Sequence, residues 1–206
     1  SIVNAGSSVF EQLPHGSLFH TSAGSINMDI GERFKLIPYE ALIMGMIGCY
    51  TKISEENVFK LQQAEENLQD FVFEDANENS TINIDKAWHA IHFTLTGCPF
   101  GGDDDNIFSK LVLSGNILME IDGEFPVMLI TANDVKKLSK AMNSLEEQAF
   151  RKRFNINEML ENNIYPVMND ESEDDFFEYV WANLIELKKF IQEASNDGLA
   201  VIFFIM

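Results

Sequence analysis

The pattern of apolar and polar residues changes at residue 44, and from there it predicts short strands separated by amphipathic helices. The stretch Met44–Ile53 alternates like a half-buried strand, and Leu111–Gly115 and Pro126–Thr131 are further strand candidates. The Asp-Gly pair at 122–123 predicts a turn between the latter two. The apolar run 199–205 is uninterrupted, which is typical of a strand covered on both faces.

Helical spacing of apolar residues accounts for most of the remaining chain. Ser54 precedes two acids, as a helix N-cap does, and Thr131 with Asp134 has the spacing of a capping box. Residues 70–82 are acidic and rich in Asn, so we expect a loop or a frayed helix end there. Helices are expected at residues 54–68, 84–96, 131–142, 144–154 and 155–162, and a long one runs from the acidic approach at 169–175 to the turn at 197–198.

Residues 1–43 differ from the rest of the chain. They are rich in Ser and Gly and show no clear amphipathic period, so we expect a loosely structured N-terminal extension. His15 and His20 lie in this segment, where no third group is placed to orient them for catalysis. No basic region followed by an apolar core is visible, so we expect no signal peptide.

The charge balance is strongly acidic, because 33 Asp and Glu oppose 14 Lys and Arg for a formal net charge of −19. Such a surface repels phosphate backbones, which argues against nonspecific nucleic-acid binding. It attracts basic proteins and accelerates their association, although solubility alone is a simpler interpretation. No apolar run approaches the roughly 18 residues of a membrane span, so we expect no membrane contact and a cytoplasmic location.

Several chemistries lack their sequence signatures. Cys49 and Cys98 are isolated, so the chain offers neither a disulfide framework nor a CxxC pair for zinc. There is no GxSxG elbow for a hydrolase, no GxGxxG for a dinucleotide and no phosphate-binding GxxxxGK[ST] loop. The acids at 103–105 do not follow EF-hand spacing, and those at 173–175 suit the positive end of a helix dipole without any ligand.

One stretch, IDKAWHAIHF at 84–93, concentrates the potential chemistry. On a helix Asp85, His89 and His92 fall at i, i+4 and i+7 and project from one face, where they could hold a metal ion or line a ligand pocket. The alternative is structural: Asp85 complements the helix dipole, both histidines are hydrogen-bonded at the rim of the core, and Trp88 packs on His92. The absence of an obvious fourth ligand favours the structural interpretation. Asp85, Trp88, His89 and His92 are nevertheless the candidate binding residues.

Several pieces of the sequence resemble, in order, the YfbM-like bacterial family. They are MGMIGCY, SEE, IDKAWHAIHFTLTG, ANDVKKL, RFNINEM with IYP, and the closing apolar strand. The resemblance runs from Met44 to Met206; it implies a compact α+β domain, and it implies no reaction because the family has no assigned activity. Ahead of it, LPHGSLFHTSAGSINM with ERFKLIPYEAL resembles a loop that precedes a membrane segment in bacterial permeases, although no such segment follows here.

Together these features predict an α+β fold in which a small mixed β-sheet is packed with several helices. We expect a single domain at residues 44–206 plus the extension at 1–43. The charge and the missing catalytic signatures favour a non-enzymatic, cytoplasmic, acidic binding protein without a cofactor, which acts on a basic protein partner in an immunity-like (toxin-neutralising) or regulatory role. The alternative is a small-molecule or metal-binding enzyme centred on Asp85, His89 and His92.

Overall fold

The computed structural model describes residues 45–63, 80–113, 116–120, 125–170 and 172–206, and these residues form an α+β fold. The predicted extension at 1–43, most of the 70–82 loop and the turn at 122–123 lie outside the described residues. Across the described ranges, no helix is both long and apolar enough to cross a membrane.

A five-stranded sheet is assembled by the described residues in the order β2-β1-β5-β4-β3. Every pairing in it is antiparallel, where we expected a mixed sheet. The strands are β1 Gly48–Ile53, β2 Thr81–Asn83, β3 Asn116–Met119, β4 Val127–Ile130 and β5 Ala200–Ile205. The expected double cover of the C-terminal strand is confirmed, because β5 is central and buried from Ala200 to Phe204.

Two strand predictions need correction. Leu111–Leu113, expected as part of a strand, follow a 3-10 turn at Ile107–Lys110 as a bend, and the next strand begins only at Asn116. The three apolar side chains are buried, and the Tyr50 hydroxyl donates to the Leu111 carbonyl at 2.9 Å, so the bend belongs to the core. Thr81 and Ile82, expected in a loop, instead pair with β1 at the edge of the sheet, together with Asn83.

Six helices are formed by the described residues: α1 Glu55–Gln62, α2 Trp88–Thr96, α3 Ala132–Asn143, α4 Glu147–Arg151, α5 Ile156–Glu161 and α6 Glu173–Asp197. The expected caps are confirmed, since the Ser54 and Thr131 hydroxyls accept from the backbone N–H groups of Asn57 and Asp134. Ser144, expected to open a helix, instead ends α3. The predicted residues 64–68 of the first helix lie outside the described residues.

The core has two parts because successive residues of the central strands face opposite sides of the sheet. Tyr50 and Phe203 belong to the larger part, together with Trp88 and the buried stripe of α6. Cys49 and Ile202 belong to the smaller part, on which Leu61 of α1 packs. The larger part holds the helix that carries the candidate site.

Candidate functional site

The candidate residues do not share one continuous helix. Asp85 lies in a 3-10 turn, Asp85–Ala87, and the α-helix begins only at Trp88. The backbone of Asp85 has φ 46°, a left-handed conformation that Asp tolerates better than most residues. The expected common face of Asp85, His89 and His92 is therefore interrupted, and Asp85 is directed to a different part of the fold.

Asp85 connects the turn to α6. Its Oδ2 accepts a hydrogen bond from the Tyr179 hydroxyl at 3.0 Å, and the same hydroxyl accepts from the backbone N–H of Lys86 at 3.0 Å. Burial and the contact with the Asp85 carboxylate raise the pKa of Tyr179 well above its ordinary value. Tyr179 thus serves as a neutral donor that fixes the strained turn.

His89 is fully buried and both of its ring nitrogens are engaged. Nδ1 accepts from the backbone N–H of Tyr165 at 3.0 Å, so the ring proton is on Nε2, which donates to the carbonyl oxygen of Pro99 at 2.8 Å. Burial lowers the pKa of His89 to about 3, against the raising effect of the Pro99 carbonyl. A neutral His89 therefore joins the 97–102 loop to the segment at 165.

Trp88 is equally buried and acts as an anchor. Its indole Nε1 donates to the Met46 carbonyl at 2.9 Å, and its ring stacks on His89 with centroids 4.9 Å apart and planes 11° apart. We expected His92 to be the stacking partner. The ring also lies against Gly48, where an added Cβ would be 2.8 Å from the Trp88 Cβ, so β1 and α2 approach closely only because residue 48 is glycine.

His92 differs from its neighbour. It is only 1 % exposed, yet neither ring nitrogen has a hydrogen-bond partner among the described residues. Burial lowers its pKa to about 4, and the backbone of Gly101 lies beside the ring and favours the charged form without meeting hydrogen-bond geometry. His92 is therefore a neutral imidazole with unused donor and acceptor capacity beneath the 97–102 loop.

Three observations on the described residues bear on metal binding and on the reactivity of Cys49. Among the residues that the structure describes, no group of three His, Cys, Asp or Glu side chains is arranged to hold a metal ion. His89 would have to release a backbone partner before either nitrogen could bind one. Burial raises the pKa of the Cys49 thiol to about 11, which leaves it protonated and unreactive.

Tyr165 and Tyr179 support the site, and the sequence pattern did not reveal them. The Tyr165 hydroxyl accepts from the backbone N–H of Met46 at 3.1 Å, while its own N–H binds His89. In the sequence, IYP, which contains Tyr165, carries only the family resemblance, and Tyr179 is only one residue of a long predicted helix. His89 and Asp85 need polar partners in the folded protein. The residues next to them in the sequence do not reveal that these partners, Tyr165 and Tyr179, lie 76 and 94 residues further along the chain.

The fold and the site together define an α+β domain whose histidine-bearing helix is buried beneath a short loop. The chain belongs to the family described as "Domain of unknown function (DUF1877)", whose model matches residues 44–204. The expected YfbM-like character is thus confirmed.

Two comparisons with YfbM of Escherichia coli cover most of this chain. Protein YfbM of Escherichia coli K12 is 29 % identical over 168 residues, covering 77 % of this chain and 99 % of that protein. The crystal structure of YfbM, titled a protein of unknown function, covers 78 % of this chain and 100 % of its own, with a TM-score of 0.64 and 24 % identity. At this identity it shows the fold alone.

A short match concerns a different protein. An "Uncharacterized transporter" of Haemophilus influenzae is 56 % identical over 43 residues, or 21 % of this chain. The chain spans only 10 % of the transporter's length.

Proposed function

We propose that the protein is a non-enzymatic, cytoplasmic binding protein that recognises a basic protein partner, in an immunity-like or regulatory role. The observation that carries this proposal is the net charge of −19. A charge of this size accelerates encounter with an oppositely charged protein and disfavours partners of like charge.

Four exposed acids lie at and just before the start of α6. Asp170, Asp174, Asp175 and Glu178 are all exposed. Arg151 pairs with Asp174, whereas Asp170, Asp175 and Glu178 make no ion pair within the described residues. Their carboxylates are therefore available to basic side chains of a partner.

The charge is distributed unevenly, which would orient a basic partner. The exposed charged residues of α3 are Lys136, Lys137 and Lys140, while the acid of that helix, Asp134, is buried. A basic protein is repelled by this face and attracted to the start of α6. The hydrogen bonding of His89 also supports a non-enzymatic role, because an imidazole held at both nitrogens is not free to move a proton.

The alternative is a small-molecule or metal-binding enzyme around Asp85, His89 and His92. The observation in its favour is His92, a buried imidazole without a partner among the described residues. Metal analysis of the purified protein separates the two functions. Stoichiometric metal that is lost in both His89→Ala and His92→Ala would favour the enzyme.

The binding proposal is tested by crosslinking in the native host, followed by identification of the captured protein. The variant Asp170→Asn/Asp175→Asn/Glu178→Gln should lose the partner. A matched control, Asp103→Asn/Asp104→Asn/Asp105→Asn, removes the same number of exposed carboxylates elsewhere and should keep it. Capture of an acidic protein, or equal capture by both variants, would contradict the proposal.

A further inference from the structure

Residues 97–101 connect α2 to the rest of the chain and lie over the two histidines; we refer to them as the histidine loop. The Pro99 carbonyl oxygen accepts from Nε2 of His89 at 2.8 Å, and the backbone of Gly101 lies beside His92. Two backbone groups of one short loop thus face two neighbouring imidazoles, but only one of the two contacts is a hydrogen bond.

Both ends of the histidine loop are glycines with room around them. Gly97 has φ 75° and Gly101 has φ 67°, and a Cβ added to either would meet no heavy atom within 4 Å. The next residue is anchored, because a Cβ on Gly102 would lie 2.3 Å from Oγ of Ser109. Glycine permits backbone rotation at both positions, and a movement of the intervening residues has to break the two hydrogen bonds between Cys98 and Oγ1 of Thr96.

When the histidine loop is closed, it keeps the His92 ring from water, which raises the free energy of the folded protein. A buried polar group without a hydrogen-bond partner loses the bonds that water would provide, and opening of the loop restores them. The hydrogen bond from His89 to Pro99 opposes opening. The ring of Phe100, which packs on the His89 ring with centroids 4.8 Å apart, opposes opening as well, so opening depends on how far the hydration of His92 offsets these contacts.

We infer that the histidine loop is a lid that opens locally, while the domain stays folded, and gives solvent access to His89 and His92. This device does not depend on the proposed partner. If the alternative ligand site exists, the lid is its entrance.

The first test is amide exchange measured by NMR on the full chain. The N–H of Gly97 bonds to the Phe93 carbonyl and that of Cys98 to Oγ1 of Thr96, whereas Phe203 lies in the central strand and reports global unfolding. We expect Gly97 and Cys98 to exchange through an opening that is about 100-fold more frequent than that of Phe203 and insensitive to low urea. Exchange with the same urea dependence and opening free energy as Phe203 would overturn the inference.

The second test separates a lid from simple fraying of the helix end. His92→Leu removes the ring that has no hydrogen-bond partner among the described residues, so it should slow the local exchange of Gly97 and Cys98 by about tenfold. Thr94→Val is the matched control, because Thr94 is buried on the same helix with its hydroxyl bonded to the Ala90 carbonyl, and it should leave the exchange unchanged. Unchanged or faster exchange in His92→Leu would also overturn the inference.

Discussion

Acid should destabilise this protein through its two buried histidines before most carboxylates titrate. The pKa is about 3 for His89 and about 4 for His92 in the folded protein, against 6.5 for an ordinary histidine. Because both values are depressed, the unfolded chain binds protons first as the pH falls. Stability is therefore full above pH 6.5 and declines below it, down to the folded-state values.

The magnitude follows from these pKa values. Between pH 7 and pH 5 each histidine lowers the free energy of unfolding by about 2 kcal/mol, or about 4 kcal/mol for the pair. Urea unfolding at pH 7, 6 and 5 measures this decline. The variant His92→Leu keeps His89 as the only buried histidine of the pair, so its decline should be about 2 kcal/mol smaller than that of the wild type. The carboxylates contribute equally to the decline in the wild type and in the variant, so they do not affect this difference. Equal declines, or an NMR titration of His92 near pH 6.5, would refute the reasoning.

Three further predictions concern stability and domain boundaries. His89→Ala should cost about 1–3 kcal/mol in urea unfolding, because two buried backbone groups lose their partner, and should leave partner binding unchanged. Deletion of residues 1–43 should leave a folded domain by circular dichroism and protease resistance, since the Met46 backbone is held at both its N–H and its carbonyl; an unfolded product would show that the boundary is wrong. Gly48→Ala should lower stability by roughly 1–3 kcal/mol, because its Cβ would overlap Trp88; a stable variant would contradict the close approach.

Features that depend on neighbouring residues could be predicted from the sequence. The caps at Ser54 and Thr131 are local hydrogen bonds, and the structure confirms both of them. The long helix α6 and the doubly covered β5 follow from residue spacing and an uninterrupted apolar run. The apolar residues 111–113 were misassigned because a buried bend and a buried strand leave the same short apolar pattern.

The site itself depends on distant residues and could be predicted only in part. The sequence marked His89 and His92, and the structure places both in the core one turn apart. It could not show that Asp85 would adopt a left-handed conformation and bind Tyr179, because that turn is fixed by α6. Nor could it show that both ring nitrogens of His89 have hydrogen-bond partners while those of His92 have none among the described residues, since the difference is set by the path of the histidine loop.

The association rate with the captured basic partner, measured by stopped flow at several ionic strengths, tests the central claim most directly. Exposed charges are screened over about 8 Å at physiological salt, so the rate constant should fall by about tenfold or more from low to physiological ionic strength. The variant that neutralises Asp170, Asp175 and Glu178 should show a slower rate and a weaker salt dependence than the wild type. A rate constant that is independent of salt in the wild type would contradict recognition through the acidic surface.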